Sequence, residues 1–242
     1  MTATDSGASR AGYGRPDKRQ AIITAARRVF GRDGYTRSSI DTISTEAGVS
    51  RRTIYNHFGD KETLFLTVAV EGADEVTTVL NRIGDRHLRK IVDLRQDLID
   101  FSLDRVAAVA AFPDHFALVR VIEAEILHMP ESARRAWIDA GPPTGHRRLA
   151  PYLRPLADRG LLELPDVERA ASHLALLTIT DINLRTFYGA IPLPDAEVTE
   201  IITSGVDAFL RVYRPGALPF RRYGSLPEAD RFPVASGRRF VH

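Results

Sequence analysis

Three features of the sequence predict an all-α fold. Over most of residues 17–213, apolar residues recur at three- and four-residue spacing, which is the period of an amphipathic helix. Glycine and proline interrupt this pattern at intervals that suit helix ends. Alternating apolar and polar runs, which are typical of half-buried strands, are absent from the sequence. We therefore expect a small N-terminal helical head followed by a larger helical body.

The composition limits the class of protein. The chain has 242 residues, of which 44% are apolar, and this is enough to bury a sizeable core. It contains no cysteine, so disulfide bonds and thiolate chemistry are excluded. The first residues lack the apolar core of a secretion signal, and no apolar run approaches the roughly 20 residues that span a bilayer. These features predict a cytoplasmic protein with no membrane segment.

Charge is distributed unevenly along the chain. Residues 1–63 contain 11 basic and 7 acidic residues, a net charge of +4. Residues 64–210 contain 15 basic and 22 acidic residues, a net charge of −7, whereas residues 211–242 have a net charge of +5. A basic head on an acidic body favours a polyanionic partner at the N-terminal end.

The first predicted helix begins at Asp17. Its inward face is indicated by apolar residues at helical spacing, namely Ile22, Ala25, Ala26, Val29 and Phe30. Gly31 or Gly34 is expected to end this helix, and Gly34 suits a left-handed C-terminal cap.

Two short helices and the start of a longer one complete the predicted head. The expected N-caps are, in chain order, Ser38 or Ser39, then Ser50, then Asp60. Gly48 forms the tight turn between the two short helices, and Gly59 ends the second of them near Phe58. The longer helix should then run to about Ile83.

The rest of the chain is also predicted to be helical. The candidate helices cover about 87–111, 114–128, 131–140, 143–159, 166–189 and 195–213. The domain boundaries that we expect are a flexible arm at 1–16, a helix-turn-helix head at 17–66, a helical body at 67–213 and a basic tail at 214–242.

The third predicted helix carries side chains that suit DNA recognition. In a helix-turn-helix unit, the second helix of the pair lies in the major groove while the first crosses the backbone. Arg51, Arg52, Tyr55 and Asn56 lie on its expected outward face, where arginine can pair with a guanine edge and asparagine with an adenine edge. The N-termini of the flanking helices, where backbone amides favour phosphate, carry Ser39 and Lys61.

The head resembles a known family. KRQAIITAARRVFGRDGY followed by SSIDTISTEAGVSRRTIYNHFGDKETLF is similar to the TetR family of bacterial transcriptional regulators over residues 17–66. One small departure is Ser44, where the family usually has alanine. The resemblance implies a homodimer that binds a near-palindromic DNA operator, with repression relieved by a small molecule.

The resemblance also assigns roles to individual residues. By alignment, the positions that touch phosphates in family members correspond to Ser39, Tyr55, His57 and Lys61. The positions that meet bases or the nearby backbone correspond to Arg51, Arg52, Thr53 and Asn56. These eight residues form the predicted DNA-binding site.

The body resembles the AefR-like class of TetR-family C-terminal domains. The features that carry this resemblance are the helix before Met129-Pro130, the stretch AWIDAGPP, the run that ends at Arg159-Gly160, and LPDVERAASHLALL. In the family, the last two helices pair with their symmetry mates as a four-helix bundle, which here would involve 166–189 and 195–213. The alternative is that their apolar residues are simply interior core.

A ligand pocket in the body is expected from polar and aromatic residues within the apolar helices. Polar residues interrupt LALLTITDINL, and the aromatic candidates include Phe112 and Tyr152. Pockets of this kind are mostly apolar with a few polar anchors. The predicted lining residues are Phe101, Phe116, Arg120, Glu123, Trp137, Thr178 and Asp181.

No catalytic, metal or cofactor site is predicted. Glu125 and His128 form one Glu-x-x-His pair, whereas a di-iron bundle needs two. The sequence contains no phosphate-binding Gly-x-x-x-x-Gly-Lys and no Gly-x-Ser-x-Gly. The alternatives to a ligand-released repressor are an activator and an effector-independent global or structural DNA-binding protein.

Overall fold

The computed structural model describes residues 18–140 and 148–216, and within these ranges all regular secondary structure is helical. The predicted all-α fold is therefore confirmed. Both the predicted arm at 1–16 and nearly all of the predicted basic tail lie outside the described residues. In the described part of the chain, no helix combines the length and the apolar character that crossing a membrane requires.

Eleven α-helices follow one another along the described part of the chain. Their bounds are α1 Lys18–Arg37, α2 Ile40–Ala47, α3 Arg51–Phe58, α4 Lys61–Leu88, α5 Leu94–Ala110, α6 Pro113–Glu125, α7 Glu131–Ala140, α8 Ala150–Asp158, α9 Val167–Ala175, α10 Asp181–Arg185 and α11 Asp195–Tyr213. One π-helical turn, Leu176–Thr180, connects α9 to α10 without a break.

The head forms where local capping signals predict it. Ser39, Ser50 and Asp60 are the N-caps of α2, α3 and α4, and each side chain accepts a hydrogen bond from the backbone amide three residues further on, at 3.1, 3.1 and 2.7 Å. Gly48 ends α2 in the left-handed region, at φ 65° and ψ 32°. Gly34, at φ 83°, kinks the last part of α1.

The boundary between α4 and α5 differs from the prediction. α4 continues to Leu88 instead of ending near residue 83, and α5 begins at Leu94 instead of residue 87. Asp93 caps α5, and the carboxylate of Asp97 accepts hydrogen bonds from the backbone amides of Val92 and Asp93 at 2.8 and 3.1 Å. The Asp93 carboxylate satisfies the Gln96 amide in the first turn, and the Asp97 carboxylate satisfies the two amides just before the helix, so together they determine where α5 starts.

The predicted helix over 166–189 ends early and contains the π-helical turn. It ends at Arg185 because the backbone reverses at Phe187 and Tyr188, which have φ values of 48° and 52°. The π-helical turn lies where α11 passes closest, and a Cβ atom at Gly205 would collide with the carbonyl oxygen of Leu177. Glycine therefore permits the two backbones to touch.

Two hydrophobic cores hold the molecule together. One core joins the head to α6 and α7, so that Phe30 and Phe65 share it with Leu118 and Ile122. The other core lies in the body, between the C-terminal part of α4 and helices α5, α8, α9 and α11. α4 contributes to both cores and connects the head to the body.

Candidate DNA-binding surface and internal cavity

The exposed face of α3 carries most of the predicted DNA-binding residues. Ile54 and Phe58 are 1% and 6% exposed and anchor the helix in the head core. Their burial turns the opposite face outward, where Arg52, Tyr55 and Asn56 lie at the i, i+3 and i+4 spacing of one helix face. Tyr55 is 49% exposed although it is aromatic. This face can therefore reach a partner without rearrangement of the core.

The polar side chains on this face differ in whether they already form hydrogen bonds or ion pairs within the protein. The guanidinium of Arg51 forms an exposed ion pair with Asp41 at 2.8 Å. Surface ion pairs of this kind contribute little to the stability of the fold. Arg52 and Asn56 are exposed, and among the described residues their side chains have no hydrogen-bond partner. Arg52 and Asn56 are thus the most available donors, while His57 is exposed beside them.

The other predicted contact residues have structural partners inside the head. The hydroxyls of Ser39 and Thr53 take part in the caps of α2 and α3. The ammonium of Lys61 donates to the backbone carbonyl of Ser38 at 2.6 Å and lies 4.7 Å from the ring centroid of Tyr35. Partial burial lowers the pKa of Lys61. We therefore expect Lys61 to stabilise the head more than it binds phosphate.

A cavity of about 630 Å³ lies in the body, bordered by α4 to α10 and the π-helical turn. Its wall is mostly apolar, as is typical of small-molecule sites. The polar residues on the wall are Thr77, Asn81, Arg105, His115, Glu123, Arg148, Tyr152, Thr180, Asn183 and Tyr188.

Three of the predicted pocket residues line this cavity, namely Phe116, Glu123 and Trp137. The other four do not, and each has a different role. Phe101 is fully buried in the body core, and Thr178 donates to the carbonyl of Leu174. Asp181 is exposed and lies near Arg185, whereas Arg120 donates to the carbonyls of Phe187 and Tyr188.

Arg120 therefore supports the turn that carries Tyr188 to the cavity. The Tyr188 ring stacks on Phe116 with centroids 6.0 Å apart, and its hydroxyl donates to Glu123 at 2.6 Å. Burial, followed by the hydrogen bond to Glu123, raises the pKa of Tyr188. Bulky residues at positive φ are strained, so these contacts hold Tyr188 in place against a conformational cost.

Sequence reasoning missed three basic residues on the described cavity wall, Arg105, His115 and Arg148. Burial lowers the pKa of Arg105 to about 10, so its guanidinium remains a cation at neutral pH. Burial, with a smaller effect of Arg27, lowers the pKa of His115 to about 4, so this imidazole is neutral. The signal for Arg105 was its position one turn from Phe101 and Ala108, on a face that is otherwise buried.

α6 connects the cavity to the head. Phe116 and Glu123 lie on the cavity wall, while Leu118 and Ile122 belong to the head core. At the end of α6, the carboxylate of Glu125 accepts hydrogen bonds from the backbone amides of Tyr35 and Thr36, at 3.0 and 3.3 Å. A displacement of α6 by a ligand would therefore be transmitted directly to α1.

These features together define a class of protein. The exposed α3 face follows a tight turn after α2, as in helix-turn-helix DNA-binding units. A long helix joins this unit to a separate helical body that contains a cavity. The molecule is a helix-turn-helix protein whose helical body encloses a cavity.

Comparisons with known proteins identify the family. Residues 22–68 match the model for bacterial regulatory proteins of the tetR family, and residues 96–215 match the model for the C-terminal domain of AefR-like transcriptional repressors. A crystal structure from Mesorhizobium loti MAFF303099, assigned to the TetR family of transcriptional regulators, superimposes with a TM-score of 0.73 at 30% identity, over 82% of this chain and 97% of that chain. The chain therefore belongs to the TetR family of transcriptional regulators, which are not enzymes.

Two further relatives show how far the similarity extends. The HTH-type transcriptional repressor AcnR of Corynebacterium glutamicum is 40% identical over 68 residues, which is 28% of this chain. That match spans 36% of AcnR, so about a third of this curated relative is covered. The structure of the flavonoid-responsive regulator FrrA aligns with a TM-score of 0.64 at 28% identity, over 83% of this chain and 98% of FrrA. Both resemblances predicted from the sequence are confirmed.

Proposed function

We propose that this chain is a homodimeric, cytoplasmic repressor that binds a near-palindromic DNA operator and is released by a small molecule in its cavity. The observation that carries the DNA-binding part is the exposed α3 face, on which Arg52 and Asn56 are free to bond a base edge. In this proposal residues 17–66 bind DNA, and residues 67–213 dimerise and hold the ligand.

The dimer is supported by apolar side chains that the described part of one chain leaves uncovered. Leu177, Leu184 and Val212 are 40%, 64% and 43% exposed, and they lie on or beside the last helices of the body. Pairing of these surfaces would place two heads on one duplex. Helix-turn-helix dimers read half-sites about 34–36 Å apart, which corresponds to one turn of DNA.

In vitro selection from a random duplex library tests the DNA-binding part of this proposal. We expect the purified protein to enrich an inverted repeat and to bind it with two chains per duplex, measured by native mass spectrometry or by light scattering. Enrichment of no sequence above the library would instead favour an effector-independent global or structural DNA-binding protein. Selection of a single half-site by a monomer would overturn the homodimer.

The ligand response is supported by the path from the cavity to the head. One side of α6 lies on the cavity and the other lies in the head core. A ligand that binds more tightly to a conformation with α6 displaced would therefore also change the position of α1. The regulator FrrA, which shares this fold, is named as flavonoid-responsive. A coupling free energy of about 1–3 kcal/mol would change operator affinity roughly 5- to 150-fold.

Glu125→Leu is expected to weaken the connection between head and body. The substitution removes the acceptor of the Tyr35 and Thr36 amides, and loss of these two hydrogen bonds should lower the free energy of unfolding by about 1–3 kcal/mol. Amide hydrogen exchange should show faster exchange at these two residues, with little change in the core of the body.

Glu125→Gln serves as the matched control for this substitution, because its side-chain carbonyl keeps an acceptor oxygen of nearly the same shape. We expect the glutamine variant to retain most of the protection at Tyr35 and Thr36. Equal protection in the wild type and in both variants would show that Glu125 does not hold the two parts together.

Activation instead of repression is the second outcome that a TetR-family regulator could produce. The same head and cavity serve either purpose, since both require only that the ligand change operator affinity. Transcription in vitro from a promoter that contains the selected operator distinguishes them. A repressor lowers transcript yield as protein is added, whereas an activator raises it.

A further inference from the structure

One cation on the cavity wall, Arg105, has no anionic partner among the residues that the structure describes. The Arg105 side chain rises from α5 beside the ring of Phe101, with its guanidinium carbon 5.5 Å from the ring centroid. Its Nε atom is buried and has no hydrogen-bond acceptor within the described part of the chain. A cation–π contact attracts the charge but leaves the N–H donors of the guanidinium unused.

The surrounding residues do not supply the missing acceptor. Among the described residues, no carboxylate forms an ion pair or a hydrogen bond with Arg105. The sequence of residues 141–147, GPPTGHR, contains no aspartate or glutamate. Arg105 as a whole is half-buried, but a cation with a buried N–H donor usually has a partner, since burying the donor without one is costly.

The other charged groups on the wall are engaged or neutral. Glu123, the acidic residue among those that line the cavity, accepts a hydrogen bond from the Tyr188 hydroxyl. Arg148 has a contact of its own. His115 is a neutral imidazole at physiological pH because burial disfavours its charged form. Among the described wall residues, Arg105 is therefore a cation to which no carboxylate is bound.

We propose that the cavity takes an amphipathic small molecule whose carboxylate, or a similar oxyanion, is bound by Arg105. The planar guanidinium matches a carboxylate in a bidentate arrangement, and such charge-assisted hydrogen bonds are strong in an apolar setting. The apolar wall, with Phe116 and Trp137, would hold the rest of the ligand. This inference rests on the proposed function, since it names the class of ligand for the same cavity.

A competition experiment with the full chain distinguishes binding to the apolar cavity from binding to the charge of Arg105. N-phenyl-1-naphthylamine is an uncharged fluorescent reporter for the cavity. Trp137, the one tryptophan of the chain, lies on the wall, so its emission should be quenched when the reporter binds. Decanoate and decanamide, which share a chain length and differ in charge, are then compared as competitors.

We expect decanoate to displace the reporter at a concentration about 10- to 100-fold lower than decanamide, the size expected for charge-assisted hydrogen bonds. Arg105→Met, which keeps an unbranched apolar stem but lacks the guanidinium, should bring the two competitors within about threefold of each other. Arg105→Lys retains the charge and should preserve part of the preference for decanoate.

Arg154→Met is the matched control, because it removes one positive charge from an exposed position on α8. It should keep the full preference for decanoate. Equal displacement by decanoate and decanamide in the wild type, or an unchanged preference in Arg105→Met, would overturn the anion-binding role and leave the cavity intact. A wild-type protein that does not bind the reporter at all would overturn the cavity and, with it, the ligand part of the proposed function.

Discussion

Replacing Phe65 by alanine is expected to lower the free energy of unfolding by about 3–5 kcal/mol. Phe65 is completely buried near the start of α4. Its ring packs edge-on against Phe30 and Tyr35, with centroid distances of 5.1 and 4.9 Å. Because this core includes residues of α1, α4 and α6, the vacated space would weaken the contact between the head and the body as well as the head itself.

Urea denaturation followed by circular dichroism measures this loss. Leu127→Ala provides the control, since Leu127 is 81% exposed and its truncation should change the free energy of unfolding by less than about 0.5 kcal/mol. A loss of less than about 1 kcal/mol in Phe65→Ala would mean that the aromatic cluster collapses without cost and does not hold the head together.

The head could be predicted from the sequence because its determinants are local. Ser39, Ser50 and Asp60 each satisfy an amide three residues away, and Gly48 adopts a left-handed conformation at the turn. Such signals act within a few residues and depend little on the rest of the fold. The outward face of α3 follows from the same local pattern, because burial of its apolar residues decides which side chains face the solvent.

The body was predicted less well because its details depend on contacts between distant parts of the chain. The π-helical turn is associated with the close approach of Gly205 to Leu177, which helical periodicity does not report. The turn that carries Tyr188 is held by Arg120, 68 residues away in sequence. The sequence pattern predicts Arg120 to be a pocket residue, whereas in the fold its guanidinium stabilises the turn at Phe187 and Tyr188.

The cavity shows the same limitation for a functional site. Phe101 and Arg105 are one turn apart on α5, yet Phe101 enters the core while Arg105 reaches the cavity wall. Helix periodicity assigns both residues to an inward face but does not say which helices they meet. Lys61 is a second example, because its ammonium donates a hydrogen bond to the carbonyl of Ser38, 23 residues earlier in the sequence. Helix periodicity does not predict this partner.

Replacing Arg52 and Asn56 together by alanine is expected to remove most of the preference for the selected operator over unrelated DNA. Each side chain is free to make base contacts worth about 1–3 kcal/mol, so the pair should account for about 2–6 kcal/mol if the contacts are independent. Since both side chains are exposed and unbonded within the described structure, thermal stability should change little. Binding is measured by fluorescence anisotropy at fixed salt, against a duplex of scrambled sequence. The control is Arg82→Ala, which removes a positive charge from an exposed position on α4 in the body. This variant should retain the preference for the selected operator. Equal loss of affinity for the operator and the scrambled duplex would mean that these residues contact the phosphate backbone and that sequence is read elsewhere on the head.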